Sequence, residues 1–267
     1  MRTTQDLMDM RGRCALVTGG AGHIGLAISE ALAEQGALLV LVDQDQQALE
    51  AAARHLKEKH GAEAKLVLAD LEVSGQTAAI AKEAEDAFGG LDVLVNCAAF
   101  VSTSQLSGWS EPFERQSVET WRRAFEVNLT SVFQLTKSAA PLLRRNGVGS
   151  IINIASIYGT HGPDHSLYEG TTMNNPAAYS ASKGGLLQFT RWASTVLAPD
   201  IRVNAISPGG VSRGQPSSFV KRYEPRVPLG RMAVEEDFKG AALFLASDLS
   251  AYVTGQNIAV DGGWGVW

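Results

Sequence analysis

Cysteine is scarce, two in 267 residues, and Cys14 and Cys97 are too few for a disulfide framework or a thiolate metal cage. Both stand beside strand-like apolar residues and read as small core side chains; no metal is expected. No apolar run approaches the roughly 18 residues that cross a bilayer. The opening MRTTQDLMDMRGR lacks the apolar centre of a secretory signal, so the expected location is the cytoplasm. A basic surplus is missing too. With 28 acidic against 23 basic side chains and a formal net charge of −5, the chain has no general attraction for phosphate backbones or anionic lipid. Nucleic acid and membrane are therefore not expected partners. Pro- or Ser-rich linkers, low-complexity tracts and fixed-period repeats are also absent, so nothing divides residues 1–267, and one domain is expected.

What is present is a rhythm. Runs rich in Val, Ile and Leu recur at Cys14 to Val17, Leu38 to Val42, Leu66 to Leu68, Val93 to Val95, Ile151 to Ile154, Ile201 to Ile206 and Asn257 to Val260. Between them lie stretches of helical spacing, such as Ile24, Ile28, Ala31 and Leu32. Continuously apolar strands alternating with crossover-length helices predict an α/β fold: a doubly wound parallel sheet of about seven strands covered on both faces. Two segments, 100–117 and 157–176, break the rhythm, and a third follows the sixth strand at 210–230. Long loops at the carboxyl end of such a sheet border its ligand crevice, so all three are expected to shape a substrate site.

Directly after the first strand comes Thr18-Gly19-Gly20-Ala21-Gly22-His23-Ile24-Gly25, leading into a helix from about Gly22 to Gln35. Small residues let backbone approach a pyrophosphate, and the helix start offers free N–H groups and a positive dipole end. A strand before it and an amphipathic helix after it make this a dinucleotide-binding turn rather than a plain tight turn. Asp43 stands 18 positions after Gly25, at the end of the second strand, where a carboxylate accepts both ribose hydroxyls of an adenosine. With no Lys or Arg between Asp43 and Arg54 to neutralise it, a 2′-phosphate would be repelled, and NAD is favoured over NADP. The competing reading has Asp43 capping the next helix. Asp70 and Leu71 follow the third strand in position to meet the adenine edge, and Asn96 and Ala98 follow the fourth beside the adenosine ribose.

Tyr179 and Lys183 lie four apart at the start of a predicted helix and share a face. The strand before them ends in Ser156, and Asn128 lies in a helix-like segment. These residues fit hydride transfer coupled to proton transfer at a secondary alcohol or ketone. A tyrosine working as a base near neutrality must be brought down from a pKa near 10, at a cost of about 4 kcal/mol. One ammonium about 4 Å away at an effective dielectric near 20 supplies roughly that much. Lys183 is thus expected to suffice, with Ser156 holding the substrate oxygen, Tyr179 exchanging its proton, and Lys183 also reaching the nicotinamide ribose.

Taken in order, Thr18-Gly19, Asn96-Cys97-Ala98-Ala99, Asn128, Ser156, Tyr179-x-x-x-Lys183, Pro208-Gly209 and Val260-Asp261-Gly262-Gly263 resemble the short-chain dehydrogenase/reductase family over nearly the full length. The resemblance implies that Asn128, Ser156, Tyr179 and Lys183 form a catalytic tetrad, with Asn128 holding a water that links Lys183 to solvent. It also implies that Pro208, Gly209 and Val211 border the nicotinamide and that the chain forms a homo-oligomer, a dimer or tetramer. Three departures stand out. The turn reads T-G-x-x-G-x-x-G, with His23 where shorter members carry Gly, and so looks like extended members, many of which modify nucleotide sugars. Ser156 and Tyr179 are 23 positions apart, roughly ten more than usual. The segment Pro208-Gly209-Gly210-Val211-Ser212-Arg213 lacks the threonine common after Pro-Gly.

The 157–176 loop holds His161, Asp164, His165, Tyr168, Glu169, Asn174 and Asn175, and the segment after Gly209 holds Arg213, Lys221, Arg222 and Arg226. So many donors and acceptors predict a polar, sugar-like small-molecule substrate over a steroid or fatty ketone. The stretch from Leu167 to Gly185 also looks like oxidoreductases of bacterial surface-glycan and flagellin-modification pathways. Two other functions stay open: an epimerase or dehydratase that keeps NAD bound, suggested by Gly22-His23, and a non-catalytic dinucleotide sensor. Trp264 and Trp267, at the carboxyl end, are expected to find a partner surface or to fold back on their own subunit.

Overall fold

Seven strands form where the apolar runs place them: β1 (Cys14–Thr18), β2 (Leu38–Asp43), β3 (Ala64–Leu68), β4 (Val93–Asn96), β5 (Gly149–Ile154), β6 (Ile201–Pro208) and β7 (Asn257–Val260). The computed structural model describes residues 1–101 and 106–267, so the first long loop lies partly outside the described residues. Helices α1 (Thr4–Met8), α2 (His23–Glu34), α3 (Gln46–His60), α4 (Ser74–Phe88), α5 (Val118–Phe125), α6 (Ser131–Arg144), α7 (Ala177–Val196), α8 (Ser217–Tyr223) and α9 (Lys239–Ala246) fill the intervals. None is long and apolar enough to cross a membrane.

The strand order is β3-β2-β1-β4-β5-β6-β7, and every neighbouring pair is parallel. Alternation of side chains along each strand feeds two cores. Ala15 and Val17 of β1 face Ile28 and Leu32 of α2, Leu49 of α3, and Phe238 with Leu245 of the α9 region. Cys14 and Leu16 face Ile80 of α4, Leu135 of α6 and Ala193 of α7. Burial on both faces is why the strands read as unbroken apolar runs.

After β1 the chain runs to β2 and β3 on one side, then returns to β4 on the other. The carboxyl ends of β1 and β4 therefore diverge, the place where such sheets bind ligands. Thr18 fixes that opening: its hydroxyl accepts from the N–H groups of Cys97 at 3.1 Å and Ala98 at 3.2 Å. Asp45 caps α3, accepting from the Ala48 N–H at 3.0 Å, so Asp43 is not the cap. Between α5 and α6 the helix widens to a π turn, Glu126–Thr130, which carries Asn128. Trp264 folds back and stacks on Tyr223 at 4.5 Å, whereas Trp267 is exposed and donates its Nε1–H to the Arg226 carbonyl at 3.2 Å.

Candidate active site

A crevice of about 730 Å³ runs along the carboxyl ends of the strands. Gly19, Gly22, His23, Ile24 and Gly25 line it from the turn after β1, Asp43 from the end of β2, Asp70 and Leu71 from beyond β3, and Ala98 from beyond β4. Ser156, Tyr179, Lys183, Pro208, Gly209 and Val211 line its other end.

The glycines are required by contact. At Gly19 φ is +63°, and a Cβ there would stand 3.0 Å from Ala98 backbone. At Gly25 a Cβ would fall 2.0 Å from the Gly19 carbonyl oxygen, so the first turn of α2 packs directly on the loop. Gly22 caps α2 without a side-chain hydrogen bond, and the helix start remains open to an anion. The open helix start and a backbone cradle that any Cβ would fill together fit a dinucleotide. Gly25→Ala is expected to cost about 1–3 kcal/mol of stability through overpacking and to weaken dinucleotide binding at least about tenfold; denaturant midpoints and titration calorimetry measure the two effects.

Asp43 Oδ1 accepts from the N–H groups of Gln44 at 2.8 Å and Asp45 at 3.3 Å, which orients the carboxylate at the crevice wall. Asn96 departs from its expected place. It is buried within the sheet, its amide donates to Asn153 Oδ1 at 2.8 Å, and it does not line the crevice. Cys97 packs against the first core, as expected, and also lines the crevice, its thiol pushed up to about 11 by burial.

Asn128 is buried behind the crevice wall. Its Oδ1 accepts from the Phe100 N–H at 2.7 Å and its Nδ2 donates to Ser182 Oγ at 3.0 Å, tying the start of the 100–117 loop to α7. Lys183 is fully enclosed, and burial pulls its ammonium down to about 8. It donates to the Ile154 carbonyl at 2.7 Å and lies 5.8 Å from the centre of the Tyr179 ring. This corrects the expected electrostatics. Burial pushes the Tyr179 phenol upward, with the nearby Ser156 hydroxyl drawing it partly back, so desolvation dominates at both groups.

A second cavity, of about 380 Å³, opens on the far side of Ser156 and Tyr179, which line both spaces. The 157–176 loop builds its wall through Tyr158, Tyr168, Met173, Asn174 and Asn175, and α8 adds Phe219 and Tyr223. The Tyr158 and Tyr168 hydroxyls meet at 2.8 Å, and the Tyr223 hydroxyl accepts from the Gly210 N–H at 2.5 Å. Tyr168, Phe219, Tyr223 and Trp264 form a run of packed rings with centres 4.5–5.7 Å apart.

Most charges expected to serve the substrate lie elsewhere. Arg226 pairs with Asp164 at 2.9 Å and donates to Ser166 Oγ at 3.0 Å, Arg222 donates to the Glu169 carbonyl at 2.7 Å, and His161 Nδ1 meets Thr160 Oγ1 at 2.8 Å. Lys221, His165 and Glu169 are likewise outside the cavity, and Arg213 faces the crevice. Tyr168, Asn174 and Asn175 alone among the expected loop residues reach the cavity. The sequence reading also missed Trp109 and Gln215 in this cavity and Arg123 in the crevice. Arg123 is held by paired hydrogen bonds to Glu72 at 2.9 Å and lies 4.9 Å over the Phe100 ring, an arrangement across 51 positions that no local motif announces.

The geometry has counterparts among known proteins. A family model described as enoyl-(acyl carrier protein) reductase matches residues 19–265. The chain is 32% identical over 262 residues to 2,5-dichloro-2,5-cyclohexadiene-1,4-diol dehydrogenase of Sphingobium indicum, covering 96% of this chain and 98% of that protein. Its fold matches a structure from Beutenbergia cavernae described as an NAD(P)-dependent gluconate 5-dehydrogenase with bound NADP, at TM-score 0.86 and 32% identity, covering 98% of this chain and 100% of that one. It also matches NAD+-bound xylitol dehydrogenase at TM-score 0.82 and 30% identity, covering 95% and 99%.

Proposed function

Because this chain belongs to the short-chain dehydrogenase/reductase family and is therefore an oxidoreductase, we propose that it interconverts a secondary alcohol and a ketone, with NAD bound in the long crevice and a neutral ring polyol in the second cavity. One observation carries this reading: Ser156 and Tyr179 stand where the two spaces meet, so both face any atom held between cofactor and substrate. Bound nicotinamide supplies the hydride acceptor or donor. Ser156 and Tyr179 face the same space and can together hold the substrate oxygen, Ser156 by its hydroxyl and Tyr179 as the group that takes or gives the proton. Lys183 anchors the end of β5 through Ile154 and keeps a positive charge beneath the Tyr179 ring. Asn128, fixed between Phe100 and Ser182, holds the π turn in register with α7 and completes the tetrad.

For the cofactor, Asp43 supports NAD: its oriented carboxylate suits two ribose hydroxyls and repels a 2′-phosphate. NAD is expected to exceed NADP by at least about tenfold in kcat/KM, and Asp43→Ala to erase most of that preference.

The cavity's composition narrows the substrate. No Asp, Glu, Lys, Arg or His lines it among the described residues, so a carboxylate or phosphate inside would lack a countercharge and bear a desolvation cost of several kcal/mol. Flat aromatic walls suit the faces of a six-membered ring, and Asn174, Asn175 and Gln215 supply polar partners for further hydroxyls. Following nicotinamide absorbance with cyclic diols, pyranoses, linear polyols and their charged counterparts tests this. Neutral ring alcohols should exceed matching carboxylates or phosphates at least about tenfold in kcat/KM, and equal or reversed rates would reject the neutral-substrate reading.

We also infer a homo-oligomer. Phe133 of α6 and Trp192 of α7 are about half exposed on neighbouring helices, packed through Phe189 with ring centres 6.1 Å apart on each side. Sedimentation giving a monomer at micromolar concentration would reject it.

A further inference from the structure

We propose that Arg213 anchors the pyrophosphate of the dinucleotide from the side opposite the glycine turn, and that Glu235 holds its guanidinium in readiness until that anion takes over. The inference rests on the dinucleotide reading of the crevice.

Three Lys or Arg side chains line the crevice among the described residues: Arg123, Lys183 and Arg213. Two are already engaged, Arg123 by the paired bonds to Glu72 and Lys183 by the Ile154 carbonyl. Among the described residues the Arg213 guanidinium has Glu235 alone, which meets it at Nε from 3.5 Å. Both side chains are about one-third exposed, at 36% and 31%, so the pair is weak and readily replaced. Glu235 Oε1 also lies 3.3 Å from His23 Nδ1, on the first residue of α2. One carboxylate therefore joins the glycine turn to the segment after β6 across the crevice mouth.

The backbone under Arg213 is built rather than loose. Ser212 N–H donates to the Ala233 carbonyl at 2.8 Å, Arg213 N–H to Gln215 Oε1 at 2.7 Å, and Gln215 Nε2 to the Val211 carbonyl at 2.6 Å. Arg213 shares the crevice wall with Tyr179 and Cys97, and its partner Glu235 meets His23 at the open start of α2, which links the reacting end to that helix start. A diphosphate bridging those two points meets the free edge of the guanidinium, whose planar fork matches phosphate oxygens. This cation sits in the segment where the expected threonine is missing.

Titration of the full-length protein with NAD, ADP-ribose and adenosine tests the assignment. Arg213→Gln should weaken NAD and ADP-ribose about tenfold or more, leave adenosine within about twofold, and be partly restored by Arg213→Lys. Glu235→Gln should act in the opposite direction, tightening ADP-ribose a fewfold by removing a competing and repelling carboxylate. Unchanged ADP-ribose binding in Arg213→Gln, or a loss of binding in Glu235→Gln equal to that in Arg213→Gln, would overturn the inference while leaving the dinucleotide reading intact. A wild-type protein that binds no ADP-ribose would remove both.

Discussion

Replacing Tyr179 by Phe is expected to lower kcat by about a thousandfold or more while leaving NAD affinity within a fewfold. Positioned proton transfer contributes about 10²–10⁴ to such reactions, and removing the hydroxyl removes the whole of it. The substitution deletes one oxygen and keeps a ring that packs with Trp109, Ala124 and Ala178. Burial is unchanged, and stability should shift by less than about 1 kcal/mol. Single-turnover kinetics alongside cofactor titration separates chemistry from binding. Turnover within tenfold of wild type would show that the proton travels by another route.

The second large effect has two signs. Lys183→Met should abolish most turnover and, at the same time, stabilise the protein. An ordinary lysine holds its proton to 10.5, whereas burial brings Lys183 down to about 8. Below pH 8 the folded and unfolded chains both carry this charge, and the folded state bears the full burial penalty, about 3 kcal/mol at 1.36 kcal/mol per pH unit. Between 8 and 10.5 the folded chain releases the proton first, so the penalty shrinks as pH rises, and stability from this group increases. Methionine keeps the length without the charge but forfeits the bond to Ile154, leaving a net gain of about 1–3 kcal/mol. Thermal unfolding at pH 7 should move up by several degrees, with the gain vanishing towards pH 10.5. In wild type, ketone reduction should decline as pH rises through about 8, because discharge of Lys183 removes the positive charge beneath the Tyr179 ring. A variant destabilised at pH 7 would show that the ammonium contributes favourably to the fold.

How much of this was legible beforehand follows from where the signal resides. Strands buried on both faces announce themselves as apolar runs, and the glycine turn, Asp43 and Ser156 fall in chain order at the ends of β1, β2 and β5, with Tyr179 on the helix before β6. Asn96 and Cys97 show the limit. The change from the last residue of β4 to the first beyond it sends one side chain into the sheet against Asn153 and the other into the crevice, and composition cannot register that step. Charges in the substrate loops misled for a different reason. Asp164 and Arg226 neutralise one another from 62 positions apart, and Arg222 is held by backbone carbonyls, so charged residues in a loop do not become charged walls of a cavity. The acceptor of Lys183 is likewise a backbone oxygen, invisible in a list of side chains. The narrower resemblance to surface-glycan and flagellin-modification enzymes spans residues 167–185, of which Tyr179 to Lys183 is the motif shared by the family at large; the family model and relatives show the family and not that branch.

The central claim is that a carbinol hydrogen crosses directly to the dinucleotide while Tyr179 handles the proton. A neutral ring alcohol deuterated at its carbinol carbon, incubated with protein and NAD in ordinary water, tests it most directly. The account predicts deuterium at C4 of the reduced nicotinamide, accumulation of NADH in step with ketone, and a primary isotope effect on the single-turnover rate. Deuterium lost to water, or substrate epimerised or dehydrated with no net NADH, would contradict it.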